Sequence, residues 1–297
     1  MKRPIVRLSS LQLTNIKNVK KGTIYMPNTV NKILSADKAE ILGIYGQNGS
    51  GKTAIVDALY FLQKVMIGAD LDQSLEDYMD MDSDTAEIFA DFNLFMNGIV
   101  FEIGYRLSLS REEKVAVISR ETLSGAKNEN GIRTNKTVFM DYQRDQRNTI
   151  FKPQKRLDEI LEENKDIKTD LIVARKMAEK SNCSYIFGES SRDIFCREYK
   201  NGFQQFSVII SSLFEFALKD LFVIRNTHSG VISANFVLPM AFRIENDNMG
   251  AKGDFTVSLT EPILVDEERK NLLETIVEQI IVLSAKTINA LSLRIMK

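Results

Sequence analysis

Gly46-Gln47-Asn48-Gly49-Ser50-Gly51-Lys52-Thr53 follows the pattern G-x-x-x-x-G-K-T, and reading this stretch decides the fold. Its glycines let successive backbone N–H groups turn inward around phosphate oxygens. Lys52 stands where it reaches the β- and γ-phosphates, and Thr53 where it holds Mg²⁺. Before the loop, Ile41-Leu42-Gly43-Ile44-Tyr45 predicts a short buried strand. After it, Thr53 to Met66 predicts a helix, which places bound phosphates on a helix N-terminus. A strand, this loop and a helix in succession point to a nucleoside triphosphate with Mg²⁺ as the ligand.

Working outward, Val6 to Leu13 and Gly22 to Met26 predict two strands, and Thr14-Asn15-Ile16-Lys17-Asn18 has turn chemistry between them. Beyond the helix lies an acidic stretch. From Val65 to Tyr105 there is no Lys or Arg, while Asp70, Asp72, Glu76, Asp77, Asp80, Asp82, Asp84, Glu87 and Asp91 crowd together. The spacing is not that of an EF-hand, so a solvated loop from about Gly68 to Asp84 is preferred to a metal site or partner surface. Glu87 to Leu109 predicts a hairpin folded at Asn97-Gly98. Val115 to Ser119 and Thr137 to Met140 add strands, so the region is an antiparallel meander.

Arg133 to Arg156 is basic, with Phe139, Tyr142 and Phe151 between its cations. That pattern fits a solvated hairpin edge, and also a contact with a nucleic-acid backbone. The character changes after Pro153. Gln154 to Lys180 and Phe203 to Leu218 predict helices. Leu221 to Ile224 and Val231 to Phe242 return to strand composition. Asp266 to Ile295 predicts a closing helix, with Leu272, Leu273, Ile276, Ile280 and Ile281 at helical spacing. The expected organisation is a nucleotide-binding lobe over 1–152, then a mainly helical insertion and return to the core over 153–297.

The 297 residues are 44% hydrophobic and 27% charged, as in an ordinary globular protein, and the net charge is −1. That balance leaves no chain-wide attraction for nucleic acid. Cys183 and Cys196 are the only cysteines, too few for a disulfide framework, and their number suits a reducing cytoplasm. No run of about 18 apolar residues marks a membrane span, and none is expected as a partner.

The longer segment from Gly46 to Thr53 and on through Ala54-Ile55-Val56-Asp57-Ala58-Leu59 resembles the ABC-type ATPase heads of the SMC, RecF and OLD families. Small prokaryotic OLD-like, AAA-type ATPases are nearest in proportion. The resemblance covers residues 5 to about 110. It implies an α/β, P-loop NTPase head lobe with an antiparallel β-subdomain and a helical insertion, binding ATP and Mg²⁺. It also implies that the turn carrying Asn15, Lys17 and Asn18 approaches the adenine.

Such heads need further motifs. Leu123-Ser124-Gly125-Ala126 looks like their signature, yet it reads as a turn among Gly- and Asn-rich residues. Ile263-Leu264-Val265-Asp266-Glu267 looks like a Walker B strand, which makes Asp266 and Glu267 the catalytic candidates. Glu268-Arg269-Lys270 runs straight into helix, so Asp266 reads equally as a helix N-cap. His228, after Leu221-Phe222-Val223-Ile224, mimics a switch histidine but precedes that strand.

The expectation is an ATPase active only when a signature and Walker B complete it, from a homodimer or a second polypeptide, with DNA as a further partner. The alternative is a non-hydrolysing ATP-binding subunit that clamps a protein partner. A metabolic kinase fits less well, because the Asn-Gly-Ser core and the antiparallel layer are not kinase features.

Overall fold

The structure is a computed structural model. It describes residues 3–31, 34–36, 42–44, 50–71, 73–112, 115–146, 150–151, 158, 161–162, 165–196, 204–221, 223–226, 231–236, 240–246 and 255–260. The chain divides into two compact units, Met1–Leu218 and Lys219–Lys297.

The first unit is built on an eight-stranded antiparallel sheet. Strands β1 (Ile5–Ile16), β2 (Val19–Tyr25), β3 (Thr85–Met96), β4 (Ile99–Glu112), β5 (Val115–Glu129), β7 (Thr137–Gln143) and β8 (Ile150–Phe151) lie in the order β2-β1-β3-β4-β5-β7-β8, and the short β6 (Ile132–Arg133) pairs with β5. The β3–β4 hairpin closes at Asn97 and Gly98, both at positive φ (50° and 79°), which matches the twist of the strands it joins. Asn130 and Gly131 repeat the device between β5 and β6, with φ of 51° and 81°.

Alternation along the strands sorts the two faces. Ile88, Ala90, Phe92 and Leu94 of β3 are buried, as are Ile103, Tyr105 and Leu107 of β4. Helices cover this face: α2 (Lys52–Met66), α3 (Ile167–Ser181), α4 (Glu189–Phe195) and α5 (Gln204–Lys219) supply apolar sides, while α1 (Pro27–Val30) is a single turn beside β1 with no buried residue. Phe216 of α5 meets Phe92 edge-on at 5.8 Å, and Gln63 of α2 donates to the Ala217 carbonyl at 3.1 Å. Tyr185 stacks on Tyr142 at 4.9 Å, and Phe187 meets Tyr105 at 5.3 Å. These rings add to burial worth about 25 cal/mol per Å² of apolar area.

One carboxylate is sealed inside this core. Glu121 on β5 has no solvent exposure. It accepts from the Tyr105 hydroxyl (2.5 Å), the Ser184 hydroxyl (2.6 Å) and the Tyr185 N–H (2.6 Å). The loop after α3 is thereby fastened to the sheet. Asn182 adds to the fastening: its amide accepts from the Ile118 N–H and donates to the Ala116 carbonyl, as a neighbouring strand would.

Three expectations are corrected. Leu123 to Ala126 is neither signature nor turn but the middle of β5, paired with β4 and β7. Gly125 permits this: a Cβ there would lie 2.6 Å from the Phe139 ring. Leu42, Gly43 and Ile44, the described part of the expected buried strand, lie in no strand, and Leu42 and Ile44 are exposed. A central strand of this kind needs parallel neighbours, and every pairing among the described residues is antiparallel. The acidic stretch is not a free solvated loop. Leu71, Leu75, Tyr78 and Met79 are buried, and Gln73–Tyr78 forms a 3₁₀ turn.

In the second unit, β9 (Val223–Asn226), β10 (Val231–Phe236), β11 (Met240–Asn246) and β12 (Phe255–Thr260) form an antiparallel sheet ordered β12-β11-β10-β9. The expected single segment from Val231 to Phe242 is a hairpin, β10 paired with β11.

Candidate nucleotide site

Helix α2 begins at Lys52, directly after Gly51 in the left-handed conformation (φ 89°). Only glycine adopts that turn without strain, and a Cβ would also lie 2.6 Å from Val19 Cγ2. The first turn of α2 carries no acidic side chain. The N–H groups and positive dipole end of this first turn therefore suit an anion. Lys52 Nζ lies 3.4 Å from Ser50 Oγ, back toward the loop. Thr53 follows as the second helical residue. Gly46, Gln47, Asn48 and Gly49 lie outside the described residues, as do His228, Asp266 and Glu267.

The turn assigned to adenine contact packs on this helix. Val19 touches Gly51, and the Lys17 ammonium pairs with the Asp57 carboxylate one turn along α2. Asp57 is 2% exposed, so its charge is held by partners rather than by water. Asn15 and Lys17 both have positive φ, 52° and 50°. For lysine this is an uncommon conformation, and the surroundings hold it. The Lys17 N–H donates to the Tyr78 carbonyl, the Asp80 N–H donates to the Asn15 carbonyl, and the Asn15 amide donates to the Thr85 carbonyl (2.9, 2.9 and 3.0 Å). Asn18 is the neighbouring turn residue.

The acidic stretch is the clamp behind that turn. Tyr78 stacks on Phe61 of α2 at 4.6 Å. Asp80 accepts from Lys20 (2.5 Å), the Asp82 N–H (3.0 Å) and Ser83 (3.2 Å). The Lys20 hydrogen bond holds its carboxyl below the usual carboxylate range. Asn15, Lys17 and Asn18 stand out in the sequence, whereas Val19, Asp57, Tyr78 and Asp80 do not. The apolar residues at helical spacing within the acidic stretch were the signal that could have found Tyr78.

The basic stretch does not form a stacking surface. Phe139, Tyr142 and Phe151 point into the core. Arg144 pairs with Glu112 and donates to the Glu179 carbonyl. Arg147, Lys152, Lys155 and Arg156 lie outside the described residues. The buried rings of Phe139 and Tyr142 lie on β7, whereas Lys136 and Arg144 lie just outside it. Cys183 and Cys196 are free and half-buried, and burial pushes both thiols up to about 11, so neither is a reactive thiolate. Among the described residues no helix is long and apolar enough to cross a membrane.

Residues 41–167 match the family model described as "AAA domain, putative AbiEii toxin, Type IV TA system". The match spans the phosphate loop, α2 and the meander, and supports an AAA-type, P-loop ATPase-like domain over that part of the chain. No curated protein matches the chain. This family implies ATP as ligand. The described half of the loop fits it: a cation, a hydroxyl and a helix N-terminus with no acid in its first turn lie together at Ser50 to Thr53.

Proposed function

We propose that this chain is the ATP-binding head of an SMC-, RecF- or OLD-like ATPase, coupling ATP binding and hydrolysis to DNA handling in repair or anti-phage defence. The observation that carries the proposal is the packing of the Asn15–Val19 turn on the start of α2, through Val19 on Gly51 and Lys17 on Asp57. A base-side element and a phosphate-side element are thereby held as one rigid corner, as nucleotide recognition requires.

In this reading Lys52 and the α2 N-terminus bind the β- and γ-phosphates, and Thr53 holds Mg²⁺. Asn15, Lys17 and Asn18 flank the base. Bound Mg·ATP supplies the phosphoryl group whose transfer to water is the reaction. The chain's contribution is positioning and charge stabilisation. Water activation falls to a carboxylate, with Asp266 and Glu267 as the candidates, and a signature from a second head or polypeptide completes the site.

The test is ATP turnover by the chain, alone and with a second copy or with the protein encoded beside it. Slow hydrolysis alone, rising by orders of magnitude on completion and abolished by Lys52→Ala, is the expected result. A rate unchanged under every condition would mark a binding subunit instead.

A further inference from the structure

The outward face of the eight-stranded sheet carries its charges in layers. Glu87 and Asp91 on β3, Glu102 on β4 and Asp141 on β7 alternate with buried neighbours and so point away from the core. Each is paired with a cation lying nearer to solvent. Arg106 meets Glu87 at 3.0 Å, Lys136 meets Asp91 at 3.0 Å, Arg133 meets Glu102 at 2.8 Å and Arg120 meets Asp141 at 2.7 Å. In that order, side-chain exposure is 44% for the cation against 32% for the acid, 36% against 29%, 48% against 28%, and 46% against 12%. An approaching anion meets the positive layer first.

These cations also form a row. Glu102, Gly104, Arg106 and Ser108 are successive outward positions of β4, spaced about 6.7 Å apart. Arg133 is tied to the first by its pair with Glu102. Lys136 Nζ lies over the second, 2.7 Å from where a Gly104 Cβ would stand. Arg106 is the third, and Arg120 is the cross-strand partner of the fourth.

The pairs leave donors over. Arg120 uses Nε and Nη2 on Asp141, which leaves Nη1. Arg106 uses Nη1 on both Glu87 oxygens, and Arg133 uses Nε on Glu102. The row has aromatic company. Arg106 and Lys136 sit over the Phe89 ring at 5.0 and 5.2 Å. At the Arg133 end an open trough of about 460 Å³, lined by Ser10, Asp91, Glu102, Lys136 and others, reaches Tyr25, which is 51% exposed.

We infer that this face is a track for single-stranded nucleic acid, with phosphates meeting Arg133, Lys136, Arg106 and Arg120 in turn and a base resting on Tyr25 at the Arg133 end. The inference rests on the DNA-handling part of the proposed function; of the basic stretch Arg133 to Arg156 it keeps Arg133 and Lys136, and it adds Arg106 and Arg120 of the sheet. The step along the row is of the same order as the separation of successive phosphates in an extended strand. The carboxylates beneath hold the cations in place before binding, which reduces the ordering cost. Stacking on the exposed Tyr25 ring suits single strands of any sequence.

Fluorescence anisotropy of the full chain with labelled oligo-dT, oligo-U and a duplex, each of roughly 12 nucleotides, tests this. The pairs Arg106→Gln/Arg120→Gln and Arg133→Gln/Lys136→Gln should each weaken single-strand binding. Each pair should also reduce the slope of log affinity against log salt by about 1.4, from about 0.7 per phosphate contact. Glu102→Gln/Asp141→Asn should do the reverse, tightening binding by exposing unneutralised cations, an outcome that loss of structure would not produce. ATP affinity should be unchanged in all three variants.

Unaltered binding by both arginine-containing pairs, or weaker binding by the carboxylate pair, overturns the track and leaves the proposed function standing. A preference for duplex also overturns it. Preference for oligo-U supports the track and contradicts DNA as the partner. Binding to no probe overturns both the track and DNA handling, while the ATP site remains.

Discussion

The two faces of the main sheet solve the same problem in opposite ways. Inside, Glu121 is buried without any cation and is satisfied by hydroxyl and backbone donors. Outside, Glu87, Asp91 and Glu102 are partly exposed, Asp141 less so, and each is paired with a more exposed cation. The inner arrangement fixes structure, since a buried acid with four lone-pair sites fastens whatever donates to it. The outer arrangement contributes little to stability, because half-exposed pairs are screened by water. It is there that charge remains available for a partner. One strand alternation thus separates residues that hold the fold from residues that meet a ligand.

Changing the inner acid should break that contrast most visibly. Glu121→Ala leaves the Tyr105 and Ser184 hydroxyls and the Tyr185 N–H without their acceptor. We expect a loss of about 3 kcal/mol or more in chemical denaturation. A near-normal midpoint would mean that the network does not fasten the loop after α3. Next in size is Gly125→Ala, which drives a methyl group into the Phe139 ring and should cost about 1–3 kcal/mol. Its neighbour Ser124 points outward and donates to the Gly104 carbonyl at 3.2 Å, so Ser124→Ala should cost less, about 0.5–1 kcal/mol in the same experiment.

The pH dependence separates the faces by sign. Burial pushes Glu121 above its ordinary 4.5, against the opposing bonds from Ser184, Tyr105 and the backbone. The native state therefore keeps that proton longer than the unfolded chain, and stability from this group falls as pH rises from about 4.5 through the raised value. Burial also acts to raise Asp141, but the Arg120 guanidinium outweighs it and holds the carboxyl below 3.8. Its contribution is present above 3.8 and is lost as pH falls through the lowered value. A tenfold difference in proton affinity between the folded and unfolded chain corresponds to about 1.4 kcal/mol, discounted for Asp141 by its partial exposure. In stability–pH curves, Glu121→Gln should remove the decline with rising pH, and Asp141→Asn the decline on acidification. An unchanged curve for Glu121→Gln would contradict the assignment. A small effect is also expected for Arg120→Ala, a loss of at most about 1 kcal/mol in denaturation; a larger loss would make the outer pairs structural.

Much of the scaffold could be read from the chain. Asn97-Gly98 gave the hairpin, the alternation around it gave β3 and β4, and the phosphate loop located the start of α2. Reading failed where a residue's meaning depended on distant partners. Glu121 looks like any strand charge until Ser184 and Tyr185 are brought to it. Leu123 to Ala126 has turn composition, but β4 and β7 hold it extended. The acidic stretch was judged by its carboxylates, whereas Leu75, Tyr78 and Met79 decide its burial. The basic stretch was legible as cations and aromatics but not as two faces. At the nucleotide corner, Lys52, Thr53 and the Asn15–Asn18 turn were visible in sequence, and the Lys17–Asp57 pair that joins them was not.

The central claim is that Mg·ATP binds where α2 begins, and titration calorimetry of the full chain and its Lys52→Ala variant tests it most directly. Lys52 caps no core and its removal should leave the denaturation midpoint unchanged. A charge-assisted contact with phosphate is worth about 1.5–3 kcal/mol, so the variant should bind Mg·ATP about tenfold more weakly or worse. Equal affinity in a folded Lys52→Ala protein would contradict the account.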